Sequence, residues 1–191
     1  MIKAIVYDCF GVLVKEWLAV LSEPYPLHVQ QQLWDAVKAS NMGFIDYREG
    51  TRQMAQALAI SEEALHQARK ENETKNHVLL DHITLLKNDG YKTAILSNVS
   101  AGGITRRFSS DELATLFDVV VESGAVGFTK PDAKAFHYTA EQLGVMPSEC
   151  IMIDDREDFC AGAEMAGMPS LLYTDFSTYK KELEQLLRNT N

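Results

Sequence analysis

The sequence predicts an α/β fold, with a doubly wound parallel sheet of five strands and a small all-helical insertion after the first strand. Five short apolar segments occur along the chain, and segments with helical apolar periodicity separate the last four. Few hairpin signals join them, which favours parallel strands with right-handed crossovers. Between the first and second apolar segments, residues 15–76 show helical spacing and no strand pattern. These features define a Rossmann-like core interrupted once by helices.

The first predicted strand and the turn after it lie within residues 2–14. The run Ala4-Ile5-Val6-Tyr7 is short, β-branched and apolar on both faces, as in a central strand covered by helices on both sides. Asp8 follows at the carboxyl end, where open α/β sheets bind their ligands, and Gly11 lies in the turn. We interpret this segment as a buried strand that presents Asp8 as a nucleophile.

The helical insertion is predicted over residues 15–76. Pro24 and Pro26 indicate its entry turn. Ser61 is predicted to cap a helix whose first turn is acidic, which the positive end of a helix favours. We therefore expect a cap domain at residues 15–76 and an α/β core domain at residues 1–14 and 77–191.

From residue 77 onwards, predicted helices and strands alternate. A helical apolar stripe ends at the C-cap signal Asp89-Gly90, and Pro131 is predicted at the first position of a helix that ends at Gly144. A last helix, from about Thr178, is expected to pack on the sheet. The remaining strands are predicted at residues 92–96, 117–121, 150–153 and 170–173.

Composition excludes several classes of partner. The chain has 18 basic and 27 acidic residues, a net charge of −9, which disfavours nucleic acid and anionic membrane surfaces. Three cysteines without framework spacing indicate reduced thiols in a cytoplasmic protein. No apolar run approaches the ~20 residues that span a bilayer, and no leader pattern is present. We expect a soluble, unprocessed cytoplasmic protein; the sequence leaves its oligomeric state open.

Polar residues follow four of the predicted strands and should meet at one edge of the sheet. Each alone is typical of a turn or a cap, but adjacent carboxylates at a strand end repel each other unless a cation compensates. Together these groups suit a hard divalent cation with a phosphoryl group beside it. The residues are Asp8, Ser97, Asn98, Lys130, Asp154 and Asp155.

These residues fall in four ordered motifs that resemble those of the haloacid dehalogenase superfamily, and the match covers about two thirds of the chain. The insertion, notably residues 43–49, resembles the helical cap of the branch that includes the phosphatase domain of soluble epoxide hydrolase and small sugar-phosphate phosphatases. A receiver domain uses the same residue types, but its acidic pair comes on the first strand. The motifs are Asp8-x-x-Gly11-Val12-Leu13, Leu96-Ser97-Asn98, Gly127-Phe128-Thr129-Lys130-Pro131-Asp132 and Ile153-Asp154-Asp155.

The resemblance implies a role for each of these positions. Asp8 attacks phosphorus and forms an aspartyl-phosphate, Lys130 neutralises phosphoryl and carboxylate oxygens, and Ser97 donates a hydrogen bond. The substrate is a small phosphorylated metabolite, covered by the helical cap. The implied ligands of Mg²⁺ are Asp8, the backbone carbonyl of Phe10 and Asp155, with Asp154 beside them. The implied substrate contacts are Ser97, the backbone at Asn98, Lys130, Phe10 and Trp17.

Two positions depart from the family pattern. Phe10 stands where most of these phosphatases have an acid/base Asp, and Phe159 stands where Asn or Asp commonly supports the metal site. Two alternatives to a Mg²⁺-dependent phosphatase therefore stay open. An aromatic residue at position 10 is typical of hydrolytic dehalogenases of this fold, although these need no metal and lack an acidic pair after the fourth strand, which Asp154-Asp155 provides here. A binding or regulatory protein that keeps the fold is the other.

Three further expectations concern large or charged side chains. Trp17 and Trp34 are expected in the core of the cap, with Trp17 close enough to the nucleophile loop to line the pocket. Arg106 and Arg107 are expected to face solvent, with contact to a substrate anion as the alternative.

Overall fold

The computed structural model describes residues 1–189 and contains one parallel sheet in the order β3-β2-β1-β4-β5. The sheet and its covering helices confirm the predicted fold class. The expected core domain extends to residue 191, and its last two residues lie outside the described part. The strands are β1 (Ala4–Tyr7), β2 (Lys92–Ser97), β3 (Val119–Glu122), β4 (Cys150–Asp154) and β5 (Ser170–Leu172).

Helices fill both the long insertion and the crossovers between strands. Four lie between β1 and the helix that precedes β2, in the region where the sequence shows helical spacing only. These four are α1 (Leu18–Ser22), α2 (Leu27–Asn41), α3 (Tyr47–Ala57) and α4 (Glu62–Asn72). The others are α5 (His77–Asn88), α6 (Ser110–Leu116), α7 (Ser123–Val126), α8 (Ala133–Leu143), α9 (Glu157–Met165) and α10 (Phe176–Asn189), with a 3₁₀ turn at Pro147–Glu149.

The sheet is buried on both faces because side chains alternate along each strand. Ile5 and Tyr7 of β1 pack in one apolar cluster with side chains of α5 and α10, whereas Ala4 and Val6 pack in another with α8 and α9. A third apolar cluster lies within the insertion and includes Trp17, so the expectation that Trp17 belongs to the cap core is confirmed.

The strand register places the polar strand ends at one edge. Tyr7 is level with Ile95 of β2 and Ile153 of β4. The residues that follow Tyr7 and Ile153 are Asp8 and Asp154, so both carboxylates lie at the carboxyl edge of the sheet. Ser97 ends the neighbouring strand at the same edge.

Local signals for helix ends are mostly confirmed. Ser61 caps α4 by accepting a hydrogen bond from the Ala64 amide, and Gly144 ends α8 with a positive φ of 68°. The prediction that Pro131 begins a helix is wrong. The helix begins at Ala133, because the Asp132 side chain caps it by accepting from the Lys134 amide at 2.9 Å.

Two other expectations differ from the structure. The third strand begins at Val119 and not at Phe117, because Phe117 ends α6 and its side chain is buried in the core. Trp34 is 37% exposed and is not part of the cap core, since its side chain lines the cavity described below.

Within residues 1–189, no helix combines the length and apolar character needed to cross a membrane. Cys9, Cys150 and Cys160 are all buried free thiols.

Candidate active site

Asp8 is held at the carboxyl edge of the sheet by the backbone around it. Its amide donates to the Ile153 carbonyl of β4 at 2.8 Å, which extends the ladder one residue beyond β1. The chain then turns tightly, with the Gly11 amide donating to the Val14 carbonyl and the Val14 amide to the Cys9 carbonyl, both at 2.8 Å. The Asp8 carboxylate is therefore fixed in a rigid turn and is only 6% exposed.

Lys130 connects the carboxylates of the first and fourth strands. Its ammonium donates to Asp8 Oδ1 at 2.8 Å and to Asp154 Oδ2 at 2.5 Å, and all three side chains are buried. The other oxygen of Asp154 accepts from the Arg156 amide at 3.1 Å. Asp154 thus has both oxygens engaged, whereas the second oxygen of Asp8 has no ion-pair partner among the described residues.

The pKa values reflect this buried chain of charges. Burial raises the pKa of Asp8, an effect that Lys130 opposes and Asp154 reinforces. Burial alone would lower the pKa of Lys130, but the two carboxylates outweigh it and raise that pKa. Burial, and then Asp154, raise the pKa of Asp155. The cluster has more negative than positive charge, so binding of a further cation is electrostatically favourable.

Asn98 positions Lys130. Its side-chain amide donates to the Lys130 carbonyl at 2.9 Å, and its side-chain oxygen accepts from the Lys130 amide at 2.8 Å. The loop after β2 thereby holds the segment that carries the lysine. The side chain of Asn98 is thus used within the protein, and only its backbone is available for the hydrogen bond that the sequence predicts.

Ser97 supplies a buried polar atom without a partner. Ser97 is fully buried. Among the described residues, its hydroxyl is the one buried side-chain oxygen or nitrogen atom without a hydrogen-bond partner. Leaving such a group unsatisfied costs ~1 to 3 kcal/mol. A hydroxyl in this state at the end of β2, beside Asp8, indicates a site for a ligand with acceptor oxygens.

Asp155 lies against the turn that follows Asp8. One oxygen each from Asp8, Asp154 and Asp155 lie within 4.8 Å of one another. Gly11 has a φ of +85°, and a Cβ there would lie 2.0 Å from Asp155 Oδ2. Gly11 is therefore required both by its left-handed backbone and by the close approach of Asp155.

The two aromatic residues that depart from the family pattern both contact cations. The Phe159 ring lies 4.9 Å from the Lys130 ammonium and 4.2 Å from the Arg156 guanidinium carbon. The Phe10 ring lies 4.6 Å from the guanidinium carbon of Arg107. Phe159 thus shields Lys130 from solvent, and no carboxylate occupies either position.

A cavity of about 800 Å³ opens between this sheet edge and the helical insertion. Its volume is in the range of sites that hold small-molecule ligands. The sequence-predicted residues Asp8, Phe10, Trp17, Lys130 and Asp155 all line it, as does Asn98, whereas Ser97 and Asp154 are buried behind it. Side chains from the insertion complete the wall, including Trp34, Tyr47 and Arg69.

The expectation that Arg107 faces solvent is wrong. Its side chain is 9% exposed and forms an ion pair with Glu73 at 2.8 Å. Glu73 also accepts from the indole nitrogen of Trp17 at 3.1 Å. In the sequence, Glu73 is 34 positions from Arg107 and 56 positions from Trp17. No local sequence signal therefore reveals these contacts. Arg107 thereby ties both linkers of the helical insertion to the core.

Comparisons with known proteins identify the family. The profile of the haloacid dehalogenase-like hydrolases matches residues 2–167. Bifunctional epoxide hydrolase 2 from Sus scrofa is 30% identical over 115 residues, 58% of this chain and 21% of the relative. Phosphatase MT3486 from Mycobacterium tuberculosis is 38% identical over 87 residues, 44% of this chain and 39% of the relative. The chain thus spans well under half the length of these two relatives.

A solved structure with the same fold comes from Bacteroides thetaiotaomicron. It is a wild-type haloacid dehalogenase family enzyme in complex with magnesium and inorganic phosphate, with 19% identity and a TM-score of 0.75. The similarity covers 94% of this chain and 99% of that one. The chain therefore belongs to the haloacid dehalogenase-like hydrolases, and the resemblance found in the four sequence motifs is confirmed.

Proposed function

We propose that the protein is a phosphatase that hydrolyses a small phosphorylated metabolite through an aspartyl-phosphate on Asp8. The observation that carries this proposal is the buried hydroxyl of Ser97, which has no hydrogen-bond partner among the described residues and ends β2, the strand paired with the one that leads to Asp8. Ser97 offers a hydrogen-bond donor and Lys130 offers positive charge. A phosphoryl group that carries several anionic oxygens satisfies both.

The residues act in two chemical steps. The Asp8 carboxylate attacks phosphorus, and the bond from phosphorus to the leaving oxygen breaks as the aspartyl-phosphate forms. Lys130 and Ser97 stabilise the charge on the phosphoryl oxygens during this transfer. Water then attacks phosphorus, which releases inorganic phosphate and restores the Asp8 carboxylate. With Phe10 at the acid/base position, the leaving oxygen takes its proton from water, so good leaving groups react faster.

The donor set suits Mg²⁺ as cofactor. Asp8 and Asp155 provide carboxylate oxygens that are free of ion pairs, and the backbone carbonyl of Phe10 accepts no hydrogen bond from the described residues. Asp154 serves Lys130 and the Arg156 amide instead, so we assign it a supporting role. Hard oxygen ligands of this kind are those that Mg²⁺ prefers, and the bound ion offsets the repulsion between nucleophile and phosphate.

The relatives support the same proposal. The match in Mycobacterium tuberculosis is named a phosphatase, and the enzyme from Bacteroides thetaiotaomicron binds magnesium and inorganic phosphate. We further propose that the protein works in the reducing cytoplasm, because its three cysteines are free thiols buried in the core.

One observation favours a second candidate, a hydrolytic dehalogenase. Phe10 lines the cavity beside Asp8, as an aromatic residue does in that subgroup. In that chemistry Asp8 attacks carbon and forms an ester as the carbon–halogen bond breaks and halide leaves. Water then attacks the Asp8 carboxyl carbon, which releases the hydroxy acid and restores the carboxylate. The carboxylate Asp155, which approaches Gly11 at the cavity wall, has no use in a metal-free reaction and speaks for the phosphatase.

The test is hydrolysis of an activated aryl phosphate by the purified protein, with Mg²⁺ and with a chelator. Asp8→Asn is assayed beside it, and Asp89→Asn, an exposed carboxylate after α5, is the matched control. We expect turnover that requires both Mg²⁺ and Asp8 and that Asp89→Asn preserves.

Three results would contradict the phosphatase. Equal release of aryl alcohol by wild type and Asp8→Asn would remove Asp8 from the reaction. Halide release from a haloacid without metal would establish the dehalogenase instead. Binding of Mg²⁺ without any turnover would leave a binding protein.

A further inference from the structure

Tyr47, the first residue of α3, brings positive groups together on the helical side of the cavity. Its hydroxyl accepts a hydrogen bond from Arg69 at 2.9 Å, and the guanidinium carbon of Arg106 lies 3.7 Å from its ring centroid. The ring of His66 is 6.4 Å away. Tyr47, His66 and Arg69 line the same cavity as Asp8, while Arg106 packs behind the tyrosine ring.

This positive cluster has little compensating charge. Other arginines around the cavity are paired, Arg107 with Glu73 and Arg156 with Asp158. Within residues 1–189, Arg69 and Arg106 have no carboxylate at ion-pair distance, nor has Lys38, which also lines the cavity. The helical wall therefore has two cations without ion-pair partners among the described residues, Lys38 and Arg69, against one carboxylate, Glu16, and Arg106 adds a further positive charge behind Tyr47.

The hydrogen-bond donors of this cluster are also unused. The Tyr47 hydroxyl oxygen accepts a hydrogen bond from Arg69, whereas the hydroxyl proton has no acceptor among the described residues. A guanidinium has five N–H donors, and Arg69 uses one of them here. A tyrosine O–H and a planar guanidinium held side by side form a recognition site for a carboxylate or phosphate oxygen.

Stabilisation of the end of α4 explains the position of Arg69 only in part. Arg69 lies in the last turn of α4, where a cation stabilises the negative end of the helix. Lys70 in the same turn satisfies that requirement from an exposed position outside the cavity. The contact between Arg69 and Tyr47 and the placement of both in the cavity wall are therefore not accounted for by the helix end.

We propose that Arg69 and Tyr47 bind a second anionic group of the substrate, a carboxylate or a second phosphate remote from the phosphoryl group that is transferred. The substrate is then a phosphorylated metabolite with negative charge at both ends. This inference rests on the proposed function, because it assigns the far end of a molecule whose phosphoryl group lies at Asp8. Arg106 fixes the Tyr47 ring and adds positive charge behind it.

The test compares substrates that differ only in the second anion. The pairs are phosphoglycolate with ethyl phosphate, phosphogluconate with sorbitol phosphate, and fructose bisphosphate with fructose monophosphate. We expect wild type to prefer the anionic member of at least one pair by ~10-fold or more in kcat/KM. Arg69→Met should lose ~10- to 100-fold on that member, as a charge-assisted hydrogen bond implies, and no more than ~2-fold on its neutral partner.

Two further variants and one control define the readout. Tyr47→Phe removes only the hydroxyl and should lower kcat/KM on the anionic substrate by ~3- to 10-fold. Arg69→Lys keeps the charge and should retain part of the preference, which carries the test if Arg69→Met fails to fold. Arg48→Met removes an exposed arginine of α3 that does not line the cavity and should change neither substrate.

The outcomes separate this inference from the function beneath it. If wild type hydrolyses neither member of any pair and is inert on aryl phosphate, the proposed function fails and this substrate class fails with it. If wild type is active but shows no anion preference, only the second site is overturned. An equal loss on both members in Arg69→Met would likewise show that Arg69 only supports the fold.

Discussion

At the residue scale, the central feature is a lysine shared between two buried carboxylates. Lys130 contacts Asp8 and Asp154 at 2.8 and 2.5 Å, while Asp155 adds a third carboxylate nearby. One ammonium among three carboxylates leaves the site negative, which suits a divalent cation and opposes a phosphate dianion until that cation is bound. This charge balance is consistent with the proposal that Asp8, Lys130 and a bound metal ion act together.

In the proposed reaction, Phe10 makes the rate depend strongly on the leaving group, because no acid at this position protonates the leaving oxygen. Replacing it by Asp introduces a carboxylate two residues after the nucleophile, within the cavity. We expect Phe10→Asp to raise kcat for alkyl phosphates by ~10-fold or more, because a positioned acid contributes ~10² to 10⁴ and the new group is not fully optimised. Activated aryl phosphates should change little. A plot of log kcat against leaving-group pKa measures this, and an unchanged slope would show that Phe10 does not occupy the acid position.

Gly11 connects the turn after Asp8 to Asp155, a ligand of the proposed metal site. Gly11→Ala places a methyl group only 2.0 Å from the present position of Asp155 Oδ2, so the Asp155 carboxylate must move away. We expect the Mg²⁺ concentration for half-maximal activity to rise by ~10-fold or more, since displaced metal ligands weaken binding.

The control for this variant is Gly90→Ala, which has the same backbone requirement without the contact. Gly90 has a φ of +94°, and a Cβ at this position would have no neighbouring atom within 4 Å. Gly90→Ala should lose stability similarly, by ~1 to 3 kcal/mol, and keep its Mg²⁺ dependence. Equal effects of both variants on Mg²⁺ activation would refute the role given to Gly11.

The carboxylates of the site were predictable because they lie at or directly after the ends of strands, whereas Lys130 lies eight residues beyond β3 and was placed by its motif. Asp8 and Asp154 lie at one sheet edge for reasons of register alone. The pairing of Arg107 with Glu73 and the contact of Arg69 with Tyr47 had no such signal, because they join elements distant in sequence. The roles of Asn98 and Phe159 around Lys130 depend on side-chain directions that residue spacing does not define.

At the element scale, the loop after β2 positions the loop that carries Lys130. Asn98→Ala removes both hydrogen bonds to the Lys130 backbone and leaves that amide and carbonyl without partners. We expect the free energy of unfolding to fall by about 2 kcal/mol and kcat/KM to fall as well. Urea unfolding measures the first, with Asn72→Ala, an exposed asparagine at the end of α4, as a control that should stay within ~0.5 kcal/mol. A loss of stability in Asn72→Ala as large would argue against a specific role.

The linkers of the helical insertion depend on Glu73. Glu73→Ala removes the carboxylate that pairs with Arg107 and accepts from Trp17, and leaves a buried guanidinium without its charge partner. We expect a loss of about 3 kcal/mol in the free energy of unfolding.

Glu49→Ala breaks a matched but exposed ion pair, with Arg52, and should leave the unfolding midpoint nearly unchanged. If Glu73→Ala is as mild as Glu49→Ala in urea unfolding, Arg107 does not tie the insertion to the core.

Elements with strong local signals were predicted well, and those governed by tertiary contacts were not. The apolar runs at β1 and β4 and the caps at Ser61 and Gly144 define their elements by local chemistry. The helix start predicted at Pro131 was wrong because proline is equally compatible with the extended segment before a helix. Here Asp132 provides the N-cap.

At the scale of the whole molecule, the helical insertion and the sheet edge enclose one cavity with charged side chains on both of its sides. The sheet edge contributes Asp8 and Asp155 beside Lys130, and the insertion contributes Lys38 and Arg69 with one carboxylate, Glu16. A net charge of −9 therefore coexists with a local positive surface inside the cavity. The local positive charge is consistent with a small anionic substrate that binds between the insertion and the core.

The central claim, that Asp8 is the phosphorylated nucleophile, is tested most directly by trapping the intermediate. The protein is quenched in acid during turnover of an aryl phosphate, reduced with borohydride and digested for peptide mass spectrometry. An aspartyl-phosphate is reduced to homoserine, whereas a free carboxylate is not. We predict homoserine at position 8 in the sample with substrate and Mg²⁺, and none in the sample without substrate. Turnover with unmodified Asp8, or with the reduction at another carboxylate, would contradict the account.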